Sequence, residues 1–120
     1  MSISSHMEGE LCIIQIQQAL SSDIHVFLKE KLRELMREGH SKIVLDLSRA
    51  GFVSSSLIGA MIYGLKEAKK KGGNLGLAQV DSAFLDVLKT TKLDKVFYIF
   101  DSIEEAVQNF KVDSPEDDDD

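Results

Sequence analysis

Ile43-Val44-Leu45-Asp46-Leu47-Ser48-Arg49-Ala50-Gly51-Phe52-Val53-Ser54-Ser55-Ser56-Leu57-Ile58-Gly59 is the stretch that decides the fold. Its opening, residues 43–47, is apolar apart from Asp46, as in a central strand buried on both faces. Gly51 marks a bend. Three serines then open a long helix whose core face is predicted to hold Ile58, Met61, Ile62, Leu65 and Ala68. Lys69-Lys70-Lys71 falls where cations favour the negative end of the helix dipole, and Gly72-Gly73 stops the helix.

The pattern extends in both directions. Upstream, residues 10–17 are rich in Ile and read as a strand, with a weaker strand signal over residues 1–6. Ser21, Ser22 and Asp23 are candidate caps for a helix over residues 24–38, where Ile24, Leu28, Leu32, Leu35 and Met36 recur at helical spacing. Gly39 is its natural stop. Downstream, residues 74–78 read as a strand and residues 82–91 as a helix with Phe84, Leu85 and Leu88 apolar. Leu93, Val96, Phe97, Tyr98, Ile99 and Phe100 lead through a last strand. Ser102 and Glu105 have capping-box spacing for a fourth helix with Ile103, Ala106, Val107 and Phe110 on its apolar face. Strands alternating with helices predict an α/β domain with a mostly parallel central sheet of about four to five strands and about four helices. That single domain is expected over residues 1–111, followed by a disordered acidic tail over residues 112–120 that contains the one proline, Pro115.

Composition narrows the function classes. The chain has 120 residues, long enough for one domain with a real core and no disulfide or metal. Its one cysteine, Cys12, has no partner for an internal disulfide, which points to a reducing compartment. No stretch approaches the roughly 18 apolar residues of a membrane span, and the first residues lack a signal-peptide pattern, so a cytoplasmic location without membrane insertion is expected. The net charge is -6, yet six of the acids lie in the last eight residues, which leaves the body neutral. Nothing clusters Lys and Arg with aromatics as a nucleic-acid groove would. His6, His25 and His40 are isolated from one another and from Cys12, so no metal site is expected. Nucleophile-elbow, P-loop and dinucleotide motifs are all absent from the sequence. The expected class is a binding protein, without catalytic residues or cofactor.

The serines are the candidate site. Ser54 is a plausible N-cap, which places Ser55 and Ser56 in the first helical turn, where free backbone N–H groups and the positive dipole end meet. A phosphate added there would be accommodated by its own protein and would change what docks against the helix start.

The junction and the order of elements resemble the STAS domain of bacterial anti-sigma factor antagonists. Asp46-Leu47-Ser48 matches the family's strand end, Phe52-Val53 its aromatic and apolar pair, and residues 54–59 its Asp-Ser-Ser/Thr-Gly-Leu-Gly motif. The resemblance covers nearly all of residues 10–110. It departs at two positions. Ser54 stands for the family aspartate, and Leu57 for a glycine, which adds bulk where a partner would approach. The resemblance implies a module that docks an anti-sigma factor with a serine kinase domain and is switched off by phosphorylation at Ser55, less favourably at Ser56 or Ser54. The implied partner surface holds Ser21, Asp23, Arg49, Phe52, Ser54, Ser55, Ser56, Leu57 and Gly59. The alternative role it implies is an unphosphorylated structural STAS module in a signalling scaffold or lipid-transport complex.

Overall fold

Ile43, Val44 and Leu45 are wholly buried because their strand is the middle one of a five-stranded sheet. The computed structural model describes residues 3–17, 23–113 and 115. In chain order the elements are β1 (Ile3–Glu8), β2 (Leu11–Gln17), α1 (Ile24–Arg37), β3 (Lys42–Arg49), α2 (Ser55–Lys70), β4 (Asn74–Ala78), α3 (Ser82–Thr90), β5 (Ile99–Phe100) and α4 (Ile103–Asn109). The strands lie side by side in sequence order. β1 and β2 form an antiparallel hairpin, and β2 through β5 pair in parallel. This is the α/β domain that the alternating pattern predicts.

Every crossover advances one strand in the same direction, so right-handed connections stack α1, α2 and α3 on one face of the sheet. There Leu28, Leu32, Met61, Leu65 and Leu88 join Ile14, Leu45 and Leu77 in the main core. The other face packs Ile13, Val44, Ala78 and Phe100 under α4. With only seven residues, α4 covers part of that face. Beyond it the strands turn polar: Gln15 Nε2 donates to Asp46 Oδ2 at 3.3 Å, and Gln17 Nε2 donates to Gln15 Oε1 at 2.8 Å.

Four local expectations change. The first strand runs to Glu8 and turns back at Gly9, whose φ of +61° suits a tight turn. The last strand shrinks to two residues. Lys92 adopts a left-handed conformation, a 3-10 turn follows at Leu93–Lys95, and the Leu93 carbonyl accepts from both Val96 and Phe97 N–H. Phe97 thereby drops into the core from a turn, with 1% of its surface exposed. On α2 Met61, Leu65 and Ala68 are buried as expected, but Leu57, Ala60 and Gly64 complete the buried stripe in place of Ile58 and Ile62, which are half-buried. Val107 on α4 is exposed, and Ala106 carries the contact with the sheet.

At the foot of the sheet the chain after α4 is tied down. Asn74, the one buried polar side chain among the described residues, donates through Nδ2 to the carbonyls of Lys111 at 2.8 Å and Asp113 at 3.1 Å. Lys69 Nζ donates to the Val112 carbonyl at 2.7 Å.

Candidate functional site

In a parallel βα array every helix begins at the carboxyl edge of the sheet, so the starts of α1, α2 and α3 share one rim. The β3–α2 junction is the centre of that rim. Asp46 braces its first half: Oδ1 accepts from the Ser48 N–H at 3.0 Å while Oδ2 holds Gln15. The chain then pins Ala50 into the core, with its N–H bonded to the Leu47 carbonyl at 3.1 Å. Gly51 turns outward at φ +70°, a conformation that favours glycine. Phe52, the next residue, is 71% exposed. An aromatic ring held in water by a fixed loop is a common anchor for protein recognition.

Ser54 is the N-cap. Its backbone is extended, and its Oγ accepts from the Leu57 N–H at 3.2 Å. Ser55 and Ser56 are exposed at the first two helical positions, and no acidic side chain lies in the first turn. The three serines thus divide the work. Ser54 spends its hydroxyl oxygen on the backbone, whereas Ser55 and Ser56 present theirs to solvent beside uncompensated N–H groups. Leu57 turns the other way: it has no exposed surface and belongs to the main core. The bulk expected at the docking surface therefore lies beneath it, because the third residue of this helix faces the sheet. Gly59, one turn on from Ser55 and Ser56, is exposed, with open space where a side chain would be.

Around this centre, Arg49 is exposed at the end of β3 and pairs in register with Gln17. Asp23 is exposed at the N-cap position of α1. Ser21 lies outside the described residues. The rim also carries apolar surface that the pattern did not single out. Phe27 on α1 is 51% exposed and Val87 on α3 is 42% exposed. Both stand off the core stripe of their helices, and a large apolar residue off the stripe is the signal that could have found them. A cleft of about 130 Å³ between the loop and α3 is lined by Gly51, Phe52, Val53, Asp81, Ala83, Phe84 and Val87. Asp81 caps α3, accepting from the Phe84 N–H at 2.8 Å.

Among the described residues no cluster of His, Cys, Asp or Glu could hold a metal ion, and no helix is long and apolar enough to cross a membrane. Burial pushes the Cys12 thiol above its ordinary value, with Lys31 opposing and Glu38 adding to the shift.

The domain thus combines a five-stranded sheet crossed on one face by helices with a serine-capped helix start presented at its rim. The chain belongs to the STAS domain family, whose profile matches residues 2–106. A candidate anti-sigma factor antagonist homologue from Thermotoga neapolitana is 32% identical over 84 residues, covering 70% of this chain and 74% of that protein. The crystal structure of a candidate anti-sigma factor antagonist from Thermotoga maritima superposes with a TM-score of 0.78 at 26% identity, covering 88% of this chain and 92% of that one. The Bacillus cell fate determinant SpoIIAA in its phosphorylated form shares the fold, with a TM-score of 0.74 at 18% identity over 91% of this chain and 99% of that one.

Proposed function

We propose that this protein is an anti-sigma factor antagonist that docks an anti-sigma factor bearing a serine kinase domain, and that phosphorylation of Ser55 ends the docking. The carrying observation is the division of labour at the α2 start. Ser54 caps the helix, which leaves Ser55 exposed at the first helical position with no acid in the first turn. A phosphate on Ser55 meets free N–H groups and the positive end of the dipole, so the fold tolerates it. The same phosphate places about two negative charges in the middle of a surface that a partner must desolvate. The surface consists of Ser55, Ser56 and Gly59, the Arg49 and Phe52 loop, and Asp23. Ser21 is assigned to it by family resemblance. Relatives named as anti-sigma factor antagonists support the partner class.

The protein acts by binding and is a substrate of its partner. Incubating it with the serine kinase anti-sigma factor of its own genome and ATP, then mapping the product by mass spectrometry, tests the switch. The expected product carries one phosphate on Ser55, and Ser55→Ala abolishes it. An active kinase that binds the protein and leaves Ser55 unmodified would exclude the switch. That outcome favours the second reading, a STAS module that docks without being phosphorylated, for which Ser54 in place of the family aspartate is the supporting observation.

A further inference from the structure

The opposite end of the same two helices has its own unmatched chemistry. A groove of about 200 Å³ runs between α1 and α2, lined by Arg33, Met36, Arg37, Tyr63, Glu67 and Lys71. Arg33 Nη1 donates to the Tyr63 hydroxyl at 3.4 Å, and its guanidinium lies 5.6 Å from the ring centroid. Lys29 Nζ sits 5.4 Å from the same centroid, so two cations share one ring. The single acid in the lining, Glu67, is already held by Lys70 at 3.0 Å. Among the described residues Arg33, Arg37 and Lys71 have no carboxylate partner. Arg37 and Lys71 also meet the negative ends of their helices, which accounts for cations there. That account does not reach Arg33 and Lys29, which stand one and two turns earlier.

The chain supplies the complement. Residues 116–120 are Glu-Asp-Asp-Asp-Asp. They follow a segment fixed at the foot of α2, where Lys69 and Asn74 hold the carbonyls of Val112 and Asp113. Pro115 lies in a helical turn, so the free reach starts there, and the five further residues span roughly 17 Å when extended. A helix is about 10–12 Å wide, so that reach can cross the foot of α2 toward Lys71.

We propose that the α1–α2 groove is a docking site for an acidic peptide segment, and that its occupant is this chain's own residues 116–120. The contact stands apart from the Ser55 surface, which lies at the helix starts. Charge complementarity carries it, so it weakens with salt.

The test compares the full chain with a neutral-tail variant (Glu116→Gln, Asp117→Asn, Asp118→Asn, Asp119→Asn, Asp120→Asn) by amide NMR. Spectra are recorded at about 0.01 M and about 1 M salt, where the screening length is roughly 30 Å and roughly 3 Å. At low salt the amides of Arg33, Arg37, Tyr63 and Lys71 should shift between the two proteins, and at high salt the differences should vanish. In a second variant, Arg33→Gln with Arg37→Gln and Lys71→Gln, the amides of residues 116–120 should sit at low salt where the natural chain has them at high salt. Differences confined to residues 112–120 would overturn the proposal. Groove shifts that grow with protein concentration would overturn it as well, because the occupant would then be the tail of a second copy.

Discussion

Replacing Ser55 by aspartate separates docking from stability. The Ser55 side chain caps nothing, since the bond to the Leu57 N–H comes from Ser54 Oγ. The first turn of α2 holds no acid, so a carboxylate at position 55 meets an uncompensated dipole worth about 0.3–1 kcal/mol. Ser55→Asp should therefore melt at or slightly above the natural protein. Ser54→Ala is the control: it orphans the Leu57 N–H and costs about 1 kcal/mol, a fall in Tm of roughly 4 °C for a chain of this size. Docking should respond in the reverse order. An unpaired carboxylate forced into the partner surface costs about 3 kcal/mol, or roughly 100-fold in Kd. Thermal melts and calorimetric titration against the anti-sigma factor kinase read both quantities. A Ser55→Asp protein that melts as low as Ser54→Ala would refute the assignment of the cap. One that binds as tightly as the natural chain would refute the placement of Ser55 in the docking surface.

Other outcomes follow from buried positions. Leu57→Gly restores the residue usual in the family but empties a fully buried site, so it should cost about 2–5 kcal/mol in denaturant unfolding and leave the surface chemistry unchanged. Removing residues 114–120 should leave stability nearly intact at about 1 M salt, where charge contacts of the acidic residues are screened. Removing residues 111–120 takes away both carbonyl partners of the buried Asn74 amide and should cost about 1–3 kcal/mol more, read as a lower denaturant midpoint. Cys12 should resist a thiol reagent in the native protein and react on unfolding, because only the unfolded thiol is both accessible and readily ionised. Its raised thiol also sets a sign: stability is kept at neutral pH and declines as the pH rises past the ordinary value of 9.0, where only the unfolded thiol gives up its proton.

The fold was legible where apolar spacing, caps and stops agreed. The run Ile43-Val44-Leu45 marks a strand buried on both faces, and Ser54 and Ser102 cap where their spacing puts them. Periodicity misled where a turn buries an apolar residue. Phe97 is as buried as any strand residue, yet a left-handed Lys92 and a 3-10 turn carry it there, and no alternation rule detects that. Gly72-Gly73 reads only as a helix stop. At Gly73 the reason for glycine is a neighbour 32 residues earlier: the Ser41 carbonyl occupies the place of a Cβ. The direction in which Leu57 points depends on a small rotation of the buried α2 face toward Leu57, Ala60 and Gly64 and away from Ile58 and Ile62, which is finer than sequence spacing resolves. The serine junction itself was visible because its meaning is local, set by a cap, a dipole end and a bend within a few residues of each other.

The order of the strands has a consequence for how the molecule is made. Neighbours in the sheet are always neighbours in the chain, so the sheet can grow one strand at a time behind a ribosome. The serine rim is then assembled before the foot: β3 and the start of α2 can settle on β2 while Asn74 still awaits the carbonyls that arrive after α4. A nascent chain would present its serines early and be sealed last at the end that carries its acids.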